Sequence, residues 1–412
     1  MNERISLWLF SILMLFYLSI GGCKNSEEVT PVEEPPIVVP QGKVQIAAYY
    51  FPNWGPAFSS EWALLRIAKP QFNGHLQPKV PLWGYTNEND PIAMAQKIGT
   101  AADNEINAFI FDWYYYDPGS NLLVDQNNDH WDGQKYLSKA LENGFLKAAN
   151  NSKLKFAVMW CNHNLGDAVK GAVAPATFES IMDYVIEKYF THPSYWKING
   201  CPYFSIYEIN TFLETYGNDI TKAAAAIELF RTKVKAAGFP DLHLNGVLWG
   251  LSGDINNKIS KLKVNSTTSY VWTHHNVLPD FPSSDYSKVA DTYFKSLENG
   301  GAHNGLEAPV KLIAAPYHIN VSMGWDSSPR CGNAPDWMTR RDYPFGAVIV
   351  KNTPYLFKKY LAKAKELTLA KPENERIITI NSWNEWGEGS YLEPDMINGM
   401  KYLEAIKVVF SN

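Results

Sequence analysis

An α/β fold of the (β/α)8 TIM-barrel type, a single domain, is predicted by two features of this 412-residue sequence. Eight short β-rich runs are spaced between Val44 and Asn412, and segments of helical period separate most of them. Most of the runs are apolar at both odd and even positions, which marks strands covered on both faces, as in a closed parallel sheet. The composition supplies the core such a sheet needs: 46% of side chains are apolar, with 14 Trp, 23 Tyr and 20 Phe, far too many for a disordered chain.

The runs are VQIAAYYF from Val44, AFIFDWYYY from Ala108, KLKFAVMW from Lys153, CPYFSIYEI from Cys201, LHLNGVLW from Leu242, TTSYVWTH from Thr267, VKLIAAPYH from Val310 and RIITINSW from Arg376. Asp90-Pro91 ahead of IAMAQKIGTAA combines an acidic N-cap with Pro at the first helical position, and Ile92, Ala95, Ile98 and Ala102 share one face. Further helices are expected over Tyr136 to Asn150, Ala176 to Tyr189, Asp219 to Ala237, Tyr286 to Glu298, Pro354 to Leu369 and Met400 to Phe410, with a short one around Ile255 to Leu262. A minimal barrel takes about 250 residues. The surplus falls in Pro52 to Asp90 and Asn320 to Asn352, after strands one and seven, and so on the C-terminal face where enzymes of this architecture build their sites.

Ahead of the barrel, residues 5 to 22 form an apolar run, and Ile20-Gly21-Gly22-Cys23 resembles the lipobox of a bacterial lipoprotein. The resemblance implies a signal peptide over 1–22, acylation of Cys23, and a Pro/Glu-rich tether over 23–42 leading to a folded domain over 43–412. Glu27 and Glu28 resemble the acidic export tract of surface lipoproteins. The expected location is the outer membrane, lipid-anchored and facing the cell surface, with the periplasmic face as the alternative.

Charge narrows the partners. With 37 basic against 42 acidic residues there is no positive field for a nucleic acid backbone. No GxGxxG or GxxxxGK[ST] cradle follows any strand, so no nucleotide is expected. The nine His show no HExxH, there is no Asp-x-Asp, and the four Cys (23, 161, 201 and 331) show no CxxC, so neither metal nor other cofactor is expected. Cys161, Cys201 and Cys331 are expected to pack as small hydrophobes.

The densest polar and aromatic cluster, Asn381-Ser382-Trp383-Asn384-Glu385-Trp386-Gly387-Glu388-Gly389, sits at the end of the eighth strand. Glycosidic cleavage usually uses one carboxylic acid to protonate the leaving oxygen and a second carboxylate on the same ring, and Glu385 and Glu388 fit that need. Gly387 and Gly389 permit a tight turn that swings Glu388 toward the cavity of Glu385. Trp383 and Trp386 are expected to stack on sugar faces, with Asn384 binding hydroxyls. Other strand ends add candidate substrate-binding residues: Tyr50 and Trp54 after strand one, Asp112 and Trp113 on strand two, His163 after strand three, Glu208 after strand four, Trp249 after strand five and His274 after strand six. An acid inside an apolar run is costly unless paired or functional, which singles out Asp112. In GWDSSPR, Trp325, Asp326 and Arg330 complete the set, with Arg330 expected to hold Asp326 in a bidentate pair.

NSWNEWGEGSYLEPD, AAYYFPNW, PLWGY, AFIFDWYYY and GWDSSPR together resemble the WbsX-type group, which is related to glycoside hydrolase family 99. The resemblance spans most of Val44 to Asn412 and is thin from about Gly171 to Ser260. It implies a (β/α)8 barrel with retaining, endo-α-mannosidase-like activity on a polysaccharide or glycan. It also implies Glu388 as general acid/base and Glu385 as the group that deprotonates the sugar's own 2-hydroxyl. The sequence departs by carrying Gly387 where family 99 typically has His, which removes a substrate contact. Two other readings are a WbsX-type glycosyltransferase of polysaccharide biosynthesis and a non-catalytic glycan-binding lipoprotein.

Overall fold

The computed structural model describes residues 34–56, 59–124, 130–275, 278–301, 306–332 and 337–411. Cys23 and the signal segment lie outside them. The chain divides into two compact units, Met1–Pro36 and Ile37–Asn412, and the second contains the barrel.

Eight parallel strands close on themselves: β1 (Gln45–Tyr50), β2 (Ala108–Tyr115), β3 (Lys155–Trp160), β4 (Cys201–Ile206), β5 (His243–Val247), β6 (Ser266–Thr268), β7 (Tyr317–Ser322) and β8 (Ile377–Asn381). Each pairs with its neighbours in order, and β1 closes the ring by pairing with both β8 (Gln45↔Ile377) and β2 (Ala47↔Ala108). Nearly every strand residue is buried, which is why both parities of these runs are apolar.

The expected helices form at Pro91–Asp103, Pro175–Val185, Ile220–Ala236, Ile255–Lys261, Tyr286–Asn299, Pro354–Leu369 and Lys401–Phe410. Four of the seven starts are fixed by a capping side chain. Asp90 accepts from Ile92 N at 2.9 Å, Asp219 from Thr221 N at 2.9 Å and Thr353 Oγ1 from Leu356 N at 3.2 Å.

Three expected elements differ. β7 begins at Tyr317, not Val310: Pro309 and Pro316 offer no N–H to a ladder, and Val310–Leu312 is a 3-10 turn with Leu312 exposed. β6 stops at Thr268, because Trp272 buries its indole against the β7 backbone and draws the chain into a 3-10 turn, Trp272–His274. The segment from Tyr136 to Asn150 is not one helix. Lys135–Tyr136 pairs with the end of β2, and only Ala140–Phe145 coils, as a wide π turn.

Candidate active site

After β8 the chain folds back as a two-residue ladder, Asn384–Glu385 against Ser390–Tyr391, joined by the 3-10 turn Trp386–Glu388. Gly389 closes the turn with φ 61°, where a Cβ would lie 2.6 Å from that of Asp326. This turn brings Glu385 and Glu388 to one cavity of about 1050 Å³, as the two-glycine pattern predicts.

A buried ion cluster holds the loop from behind. Lys97, on helix Pro91–Asp103, bonds Glu88 at 2.8 Å and also Glu393, all three side chains being at most 3% exposed. Glu393 accepts from both loop indoles, Trp383 Nε1 at 2.9 Å and Trp386 Nε1 at 2.7 Å. Asn384 donates to Glu88 and to Phe51 O, and accepts from Phe51 N. Burial, opposed by Lys97, leaves the Glu88 carboxyl raised to about 7.

Inside the cavity Arg330 is the hub. Its Nη1 donates to Glu388 Oε1 at 2.5 Å, its Nη2 lies 3.4 Å from Glu385 Oε2, and its Nε lies 3.8 Å from Glu61 Oε2. Tyr343 donates to the same Glu388 oxygen at 3.0 Å. On the other side Tyr270 Oη sits 3.0 Å from Glu385 Oε1 and 2.9 Å from Asp112 Oδ2. Burial and the neighbouring Glu388 push Glu385 well above the usual carboxylate range, while Arg330 pulls it down. Burial also keeps His163 and His274 neutral, lowered to about 4 and about 3.

The cavity gathers Asp112, His163, Glu208, Trp249, His274, Trp325, Arg330, Glu385 and Glu388 from the sequence candidates. Trp249 stacks on His274 with centroids 4.1 Å apart, making an aromatic wall. Glu208 is held by Thr211 Oγ1 at 2.6 Å.

Seven candidates lie elsewhere. Tyr50 and Trp113 point outward from their strands, since adjacent strand residues face opposite sides. Tyr50 packs on Phe109 and Phe111, and Trp113 donates to Tyr189 at 3.1 Å. Trp54 is fully buried against Trp62. Trp386 and Asn384 are anchors of the loop, not sugar contacts, and Trp383 is likewise buried. Asp326 does not pair with Arg330. It accepts from Gln77 at 2.7 Å, His75 at 2.9 Å, Lys79 at 3.0 Å and Ser328 at 2.6 Å. Burial pushes its carboxyl up, but Lys79 and His75 win and hold it far below the usual range.

Sequence reasoning missed Glu61, Tyr114, Tyr207, Tyr270 and Tyr343, all of which line the cavity. Two carried a signal. Tyr114 has the parity of Asp112 on β2, and Tyr270 lies four residues before His274.

This is a closed (β/α)8 barrel. A solved structure described as a glycoside hydrolase-like protein aligns with TM-score 0.59 at 14% identity, covering 92% of this chain and 97% of that one. The family 99 endo-alpha-mannosidase of Bacteroides thetaiotaomicron aligns with TM-score 0.50 at 16% identity, covering 89% and 96%. The chain itself belongs to the family described as glycosyltransferase WbsX, whose model matches residues 51–406. It is 22% identical over 391 residues to WxcX, an uncharacterized protein of Xanthomonas campestris pv. campestris. The alignment covers 88% of this chain and 49% of WxcX, so the chain spans about half the length of that relative.

Proposed function

We propose that this protein is an extracytoplasmic, lipid-anchored glycoside hydrolase that cleaves a polysaccharide or glycan with retention, in the manner of the endo-α-mannosidases. The observation that carries the reading is the convergence of Glu385 and Glu388 on one aromatic-walled cavity at the C-terminal end of the barrel. Lipidation of Cys23 and the surface location rest on the lipobox sequence.

In this mechanism Glu388 protonates the leaving oxygen while Glu385 takes the proton of the sugar's 2-hydroxyl, whose oxygen attacks the anomeric carbon as the glycosidic bond breaks. Water then attacks that carbon with Glu388 as base, the bond between the carbon and the 2-oxygen breaks, and Glu385 returns its proton to that oxygen. Arg330 and Tyr343 both donate to Glu388 Oε1, so the acid proton is carried on Oε2. Arg330 also faces Glu61, whose Oε2 is buried without a hydrogen-bond partner beside it.

The test is release of oligosaccharides from α-mannans and other bacterial, plant and host polysaccharides by the wild-type protein and by Glu388→Gln. Turnover should fall at least about 100-fold in the variant with binding retained. A glycan retained equally by both proteins and cut by neither points instead to a binding lipoprotein. The family description favours a second reading, glycosyl transfer, and consumption of a sugar nucleotide without glycan cleavage would select it.

A further inference from the structure

We propose that Asp112 is a protonated carboxylic acid in the resting site and, acting through Tyr270, holds Glu385 as the anion that accepts the substrate's proton. Tyr270 Oη lies within hydrogen-bond distance of two buried carboxyl groups, 2.9 Å from Asp112 and 3.0 Å from Glu385. A phenol carries one hydrogen. Were both carboxyls ionised, one of these contacts would set an oxygen lone pair against a phenolic lone pair among three buried residues. A second hydrogen is therefore required, and it belongs to one of the two acids.

The surroundings decide which. Asp112 Oδ1 is buried and has no hydrogen-bond partner among the described residues, a poor place for negative charge. Around Asp112 stand Tyr49, Tyr114, Cys161, Tyr207, Tyr270 and Glu388, all of them neutral or acidic. Glu385 instead presents Oε2 to Arg330. The resulting chain runs from the Asp112 hydroxyl to Tyr270 Oη, and from the Tyr270 hydroxyl to Glu385 Oε1. Burial and Glu388 push both carboxyls upward, but Arg330 opposes that push at Glu385 and not at Asp112.

The trio thus holds a single negative charge, on Glu385. When Glu385 takes the 2-hydroxyl proton the trio becomes neutral, and when it returns the proton the charge is restored. The Asp112 proton never leaves. Asp112 is therefore a positioning residue, and this catalytic consequence rests on the hydrolase reading, whereas the proton assignment does not.

Infrared spectra of the wild-type protein at neutral pH, with 13C placed in the carboxyls of aspartate or of glutamate, test the assignment. A protonated-acid carbonyl band that moves with the aspartate label and is missing from Asp112→Asn is expected. A wild-type spectrum without such a band, or one in which it moves only with the glutamate label, overturns the proposal; Glu88, raised to about 7, moves with that label and is thereby separated. The isotope shift is read in wild type, so it stands even if Asp112→Asn folds poorly. On a cleaved glycan, Asp112→Asn, whose amide donates where the acid donates, should keep at least about tenfold more kcat/KM than Asp112→Ala. Equal losses overturn the positioning role. An aspartate band in a protein that cuts no glycan supports the proton assignment and removes only the hydrolase reading.

Discussion

Gly387 leaves the room in which the Arg330 guanidinium lies: a Cβ at this position would sit 3.1 Å from Arg330 Nε and 3.2 Å from Glu61 Oε2. An imidazole cannot share it. Gly387→His should expel Arg330 from between Glu61 and Glu388 and lower kcat/KM at least about tenfold, roughly 1.4 kcal/mol of transition-state stabilisation. Steady-state kinetics beside a thermal melt check this. An unchanged kcat/KM in a folded variant would show that Arg330 does not need that place.

The loop after β8 is a small element with its own foundation. Its two indoles end on Glu393, its Asn384 ends on Glu88, and both acids end on Lys97. Removing the lysine leaves two carboxylates buried together without their cation. Lys97→Met should therefore cost about 3–5 kcal/mol in denaturant unfolding, as is usual when one partner of a buried ion group is deleted. Turnover should fall with it, although Lys97 touches no part of the cavity. Cleavage at wild-type rate would separate the clamp from the placement of Glu385.

The same element shows what was readable in the residues. The spacing of Glu385 and Glu388 and the glycines around them were enough to place both acids in one cavity. Trp383 and Trp386 read as sugar platforms, yet they are anchors, because both indoles turn away from the cavity to donate to Glu393. Trp113 is an anchor for another reason: beside Asp112 on an extended strand, it faces the opposite side of β2. The long loops hid the rest, because Lys79 lies some 250 residues from Asp326 and Glu61 some 270 residues from Arg330. No local pattern announces Lys79 or Glu61 as their counter-charges.

At the scale of the molecule the barrel interior holds histidines that burial keeps neutral. His243 on β5 bonds Ser266 at 2.8 Å, and burial, with Arg231 adding to it, lowers it to about 4 from the usual 6.5. The unfolded chain binds the extra proton between those values, so stability from this group is present above about pH 6.5 and is lost as pH falls through about 4. For His243→Gln, which has no proton to gain, the stability deficit relative to wild type should shrink by on the order of 1–2 kcal/mol between pH 7 and pH 5. Urea midpoints at the two pH values measure it, and a constant difference would place the imidazole in a wetter setting than the structure shows.

The acids and the aromatic wall are built by different parts of the ring. Glu385 and Glu388 ride on the one loop tied to Lys97, whereas Trp249, His274 and Trp325 arrive on the loops after β5, β6 and β7. On the hydrolase reading, bond-breaking and ligand choice are thus inherited as separate parts. A lineage, or a library randomised at those three positions, is free to exchange one glycan for another while the carboxylates keep their posts.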